Sequence, residues 1–81
     1  MDTNLSYENW VSAGRPEMVV KNIARMNKAT GKHTSKVFMS SALSALLMCY
    51  RGASVQALQA RLLSGETLQD NKYVYSISTT A

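Results

Sequence analysis

The sequence predicts a mainly α fold: a three-helix domain with a short C-terminal β-strand or hairpin, assembled as an oligomer. Three observations carry this expectation. Residues 36–50, KVFMSSALSALLMCY, hold no charge, Gly or Pro between Val37 and Cys49, and a helix apolar nearly all round belongs in the middle of a fold. Residues 16–30 open on Pro16-Glu17 and stop at Gly31, with apolar and basic positions on opposite sides at helical spacing. After Gly65 the texture changes to KYVYSIST at residues 72–79, an alternating β-branched and aromatic run that suits a strand.

Taken in order, residues 1–5 are expected to fray. Ser6 can cap a short helix with Glu8 in its first turn and Gly14 after its end. A short strand through Leu5 to Val11 is an equal alternative, and Tyr7, Trp10 and Val11 dock either form onto the core. The helix at 16–30 would carry Val19, Val20, Ile23, Met26 and Asn27 on one face. Lys21, Arg25 and Lys28 recur at i, i+4 and i+7 on the other. Lys32-His33-Thr34-Ser35 reads as a connector in which Thr34 or Ser35 caps the central helix, and Gly52 ends that helix. Ser54 caps a third helix from Val55 to Leu63. Its buried stripe is Val55, Leu58 and Leu62, and its polar positions are Gln56, Gln59 and Arg61.

In the C-terminal strand, Tyr73, Tyr75 and Ile77 share one face and Val74, Ser76 and Ser78 the other. Asp70-Asn71 is a plausible two-residue turn, with residues 67–69 as the partner strand. A two-stranded hairpin is weak alone. A further partner strand is expected from residues 5–11 or from a second subunit.

At 81 residues the chain is one domain that buries only about 60% of its unfolded surface. Its single cysteine, Cys49, excludes an internal disulfide, and no Cys/His cluster offers a structural metal. Oligomerisation is the remaining staple for a small scaffold, so a homo-dimer or higher oligomer is expected. The small residues of the central helix, Ser40, Ser41, Ser44 and Ala45, with Met48, form the expected interface between copies. No secretory signal is visible, and the apolar run is shorter than the roughly 20 residues a bilayer span needs. No membrane association and a cytoplasmic location are expected.

The net charge is +4, and its distribution matters more than its size. No acid lies between Met18 and Gly65, an interval that carries Lys21, Arg25, Lys28, Lys32, Lys36, Arg51 and Arg61. Such a block points to an anionic partner, either an acidic protein surface or nucleic acid.

Catalysis has little to work with. The five carboxylates are scattered toward the ends, His33 reads as a solvated loop residue, and Cys49 reads as a small buried hydrophobe. Without a phosphate loop, a nucleophile motif or metal-ligand spacing, the chain is expected to be neither an enzyme nor a cofactor protein.

The leading expectation is a small basic regulator that binds and modulates another protein, of the inhibitor or antirepressor type found in bacteria and phages. Lys21, Arg25, Lys28 and Lys32 would steer the encounter, with Trp10, Tyr73 and Tyr75 as anchors. The alternative is a DNA-binding transcription regulator. Three helices followed by a hairpin is the order of a winged helix-turn-helix, which would make Gln56, Gln59 and Arg61 the base readers and Asp70-Asn71 the wing tip. Against it, DNA affinity rests mainly on phosphate contacts, and the proposed reading helix carries one basic residue.

Overall fold

Among the described residues three helices accompany a three-stranded antiparallel sheet, so the fold is α+β and the mainly α expectation is corrected. A computed structural model describes residues 6–20, 22–34, 36–37 and 39–78. The expectations for residues 1–5, Lys21, Ser35 and Thr79 lie outside these. The elements are α1 (Tyr7–Ser12), β1 (Ile23–Asn27), α2 (Met39–Cys49), α3 (Val55–Leu63), β2 (Leu68–Gln69) and β3 (Tyr73–Ile77). The strand order is β1-β3-β2.

The correction centres on residues 16–30, where the expected helix is a loop followed by β1. Helical spacing of apolar residues is present there, but the backbone has other partners. Asn22 sits at φ 57, a left-handed conformation that a helix does not continue through. The Asn27 side-chain oxygen accepts from the N–H groups of Ala29 and Thr30 at 2.9 and 3.2 Å, and Gly31 at φ 69 closes the turn. Val19, Val20 and Ile23 are β-branched, which favours extended backbone. Pro16 therefore does not begin a helix; its carbonyl accepts the Trp10 indole N–H at 2.7 Å.

β1 pairs with β3 in the register Ile23↔Ile77, Arg25↔Tyr75 and Asn27↔Tyr73. β1, rather than residues 5–11 or another subunit, is thus the second partner of the C-terminal strand. On its far side β1 also meets the returning chain through bridges Met26↔His33 and Ile23↔Val37. The pairing of β1 holds Ile23 fully buried on the face that also carries Tyr75 and Leu68.

The helices form largely for the reasons legible in the sequence. Ser6 caps α1, accepting from Asn9 N–H at 3.4 Å, so the helical alternative holds for that segment. Ser54 caps α3 by accepting from Ala57 N–H at 3.0 Å. In α2 the buried residues are Ala42, Leu43, Leu46 and Leu47, positions i, i+1, i+4 and i+5 of a single stripe. The opposite face reaches solvent: Ser40, Ser41, Met48 and Cys49 are exposed, and Ser44 and Ala45 are half-buried. The central helix is apolar in composition but buried on one face only.

At the hairpin, Asp70 N–H donates to Tyr73 O at 3.0 Å, which places the turn at Asn71-Lys72, one residue beyond the expected position. Neither turn residue needs positive φ, because the Asp70 carboxylate holds the turn from within. The outer edge of β2 is closed from α2's end: the Tyr50 hydroxyl accepts from Gln69 N–H at 3.1 Å and donates to Gln69 O at 3.3 Å. A sheet edge left open invites pairing with another chain. Tyr50→Phe is expected to cost about 1 kcal/mol and to promote association, read by urea denaturation and by light scattering on the same samples. Unchanged stability and unchanged scattering would show that the hydroxyl does not guard this edge.

Candidate functional site

The pairing of β1 with β3 brings two distant turns side by side. Lys28 N–H donates to Lys72 O at 2.9 Å, and Lys28 Nζ donates to Asp70 O at 3.1 Å. This end of the sheet therefore carries Lys28 and Lys72 together, with Lys32 exposed in the adjoining turn. Arg25 lies just behind them. Its guanidinium sits 4.4 Å from the Tyr73 ring centroid, and its Nε donates to Thr34 Oγ1 at 3.3 Å.

Beside this basic end lies an open groove of about 690 Å³ between the last turn of α2 and the β2–β3 hairpin. Ala45, Met48 and Cys49 form the helix side, and Gln69 to Tyr73 form the hairpin side. Met48 is 62% exposed, a large apolar side chain left to water.

One carboxylate lines the groove, and its oxygens are engaged within the fold. Asp70 Oδ1 accepts from the N–H groups of Lys72 and Tyr73 at 2.8 and 2.6 Å, and Oδ2 accepts from the Tyr75 hydroxyl at 3.0 Å. Burial pushes the Asp70 carboxyl up, but these three donors and the Lys28 charge outweigh it and hold the carboxyl below its ordinary range. The reciprocal effect falls on Tyr75: burial, then the hydrogen bond and charge of Asp70, push its phenol well above the usual value.

Cys49 is exposed rather than buried, because the stripe of Leu43, Leu46 and Leu47 turns away from it at the end of α2. Partial desolvation, then the Asp70 charge, push its thiol up. It is held as a thiol at neutral pH, the opposite of what a nucleophile needs.

The other expected site residues divide. Arg25, Lys28 and Lys32 gather at one end of the sheet, reached through a strand and a turn rather than along a helix; Lys21 lies outside the described residues. Tyr73 lines the groove. Trp10 and Tyr75 are 0% and 2% exposed, so they belong to the core and are not available as surface anchors. Ser40, Ser41 and Ser44 line a second, smaller cleft with Arg15, of about 540 Å³, while Ala45 and Met48 face the groove.

Of the proposed base readers, Gln56 is exposed. Gln59 Oε1 accepts from Val19 N–H at 3.5 Å. Arg61 is bridged to Glu66 at 3.0 Å and lies 5.2 Å from the Tyr50 ring centroid. Asp70 was marked only as a turn residue and wing tip, and Lys72 and Tyr50 were not marked as site residues by any local pattern, since what places them here is the pairing of Lys28 with Lys72 and of Tyr50 with Gln69. Among the described residues, no helix is long and apolar enough to cross a membrane. No protein-family model matches the chain, and neither the curated proteins nor the solved structures contain a significant match.

Proposed function

We propose that the protein is a small non-enzymatic regulator that acts by binding an acidic segment of another protein. The observation that supports this best is the pairing of Lys28 with Lys72 at one end of the sheet, where the charge adjoins a groove with one apolar side. Clustered cations raise the encounter rate with an acidic surface, and an adjoining apolar site gives the complex its lifetime. The triple variant Lys28→Glu, Lys32→Glu, Lys72→Glu tests it. All three side chains lie at exposed positions, where charge changes alter stability little. The wild type should capture its partner from a lysate of the source cells by chemical crosslinking, with a yield that falls as salt rises. The triple variant should lose that capture. Capture at the same yield by both proteins would overturn the proposal.

A second reading, DNA binding, is favoured by one observation: the order α1-β1-α2-α3-β2-β3 is compatible with a winged helix-turn-helix, a likeness of fold rather than of site. On this reading α3 enters the major groove. The outward positions of α3, Gln56, Ala57, Ala60 and Leu63, carry no cation, and Arg61 is held by Glu66. A mobility-shift titration decides. No shift at micromolar protein and low salt removes this reading; a shift that weakens steeply with salt replaces the first with it.

A further inference from the structure

We infer that the groove between α2 and the β2–β3 hairpin receives the aliphatic anchor of a non-strand acidic segment of the partner. This rests on the acidic-partner reading and adds to it where the segment docks and what anchors it.

Two features select that occupant. The helix side of the groove is apolar, with Ala45 and a largely exposed Met48. A methionine adapts its shape to an incoming aliphatic group better than a branched side chain does. The rim is cationic, with Lys72 lining the groove and Lys28 Nζ bonded to the Asp70 carbonyl. Acidic residues flanking an apolar anchor match this order of charge around a nonpolar centre.

The groove's one carboxylate is already engaged. Both Asp70 oxygens already accept hydrogen bonds from the fold, and Lys28 stands beside them. An amine or guanidinium ligand would compete with those donors.

Two further features exclude other docking modes. One face of the Tyr73 ring carries the Arg25 guanidinium, and the ring also packs edge-on with Tyr75 at 6.4 Å. Stacking, the mode by which unpaired bases are held, therefore has at most one face of this ring to use. The backbone of Gln69 is closed by the Tyr50 hydroxyl, so a partner strand cannot add to β2 through main-chain bonds. What remains is docking led by a side chain.

The test uses three labelled peptides of about a dozen residues and fluorescence anisotropy at low and moderate salt. The first is Glu-rich with two central leucines, the second has alanines in place of those leucines, and the third keeps the leucines but has Gln in place of Glu. A labelled DNA duplex serves as the competing class. The first peptide is expected to bind about tenfold or more tightly than the second, the range for moving an aliphatic side chain out of water, and more tightly than the third. Met48→Ala should narrow the leucine–alanine difference without touching the fold, since Met48 is largely in solvent; circular dichroism checks this. Lys72→Glu should weaken both acidic peptides together.

If both acidic peptides bind equally and Lys72→Glu weakens both, the groove inference is overturned and the acidic-partner reading stands. If neither binds at low salt, or if the duplex binds and displaces them, both fall.

Discussion

Replacing Trp10 by alanine is expected to remove a large part of the protein's stability. Trp10 is 0% exposed, and a buried Trp→Ala change costs about 3–5 kcal/mol. A domain of this length has about 4–12 kcal/mol to lose, at roughly 0.05–0.15 per residue. The loss is larger than packing alone suggests, because Trp10 joins two segments that have few other ties. Its indole N–H donates to Pro16 O at 2.7 Å, and its own carbonyl accepts from Arg15 N–H at 2.9 Å. These bonds fold the loop back so that Met18 and Val20, 2% and 4% exposed, reach the core. Without Trp10 the short α1 and that loop come away together. Trp10→Phe separates the contributions: it keeps most of the apolar contact and loses the N–H, at a cost of about 1–2 kcal/mol. Urea denaturation followed by circular dichroism measures both variants. A cooperative transition for Trp10→Ala within about 1 kcal/mol of the wild type would overturn this account.

The parts legible in the sequence were those with local causes. Ser54 and the stripe Val55, Leu58 and Leu62 define α3 within its own residues, and its bounds are those read from the sequence. The alternation in residues 73–77 likewise marks β3 and its faces. Residues 16–30 failed because the signal there was ambiguous at short range. Val19, Val20, Ile23 and Met26 fit helical spacing, and Ile23 with Asn27 also fits a strand ending in an Asx turn. What decides between them is β3, about fifty residues downstream, whose pairing with β1 supplies hydrogen bonds that a helix would have found locally. The same distance hid the site. The basic character of Lys28 and Lys32 was plain, but their proximity to Lys72 follows only from the strand register. Tyr75, and Trp10 in its second reading as an anchor, were misplaced for a related reason: a large aromatic residue is equally suited to a core or to an interface, and only the packing assigns it.

The second large effect is expected at Asp70, where stability and the shape of the groove meet. Its carboxylate accepts three hydrogen bonds, two of them from the backbone of the turn it closes. Hydrogen bonds to a charged acceptor contribute about 1.5–3 kcal/mol each before overlap. Asp70→Ala should therefore destabilise by about 2–4 kcal/mol, since the three share one side chain and do not add. It also leaves the hydroxyl of Tyr75, a core residue, without its acceptor, and it frees the turn that carries Lys72. Peptide affinity at the groove should fall along with stability. Asp70→Asn keeps an oxygen for the two amides and should cost less. In a double-mutant cycle, Asp70→Ala and Tyr75→Phe should couple, because either change alone breaks the same O–H···O bond.

The pH dependence has a definite sign at each end. The Asp70 carboxyl lies below its ordinary range in the fold, so its contribution is complete above the ordinary value of about 3.9 and is lost as pH falls below it. The Tyr75 phenol is raised in the fold, so its contribution is complete below the ordinary value of about 10 and is lost as pH rises past it. Urea midpoints across the pH range should show the wild type losing stability at both limits. Asp70→Asn should flatten the acid limb, since its amide does not titrate. Tyr75→Phe should flatten the alkaline one. An acid limb of the same depth in Asp70→Asn as in the wild type would mean that other carboxyls govern it and that Asp70 is not the strong acceptor its three donors imply.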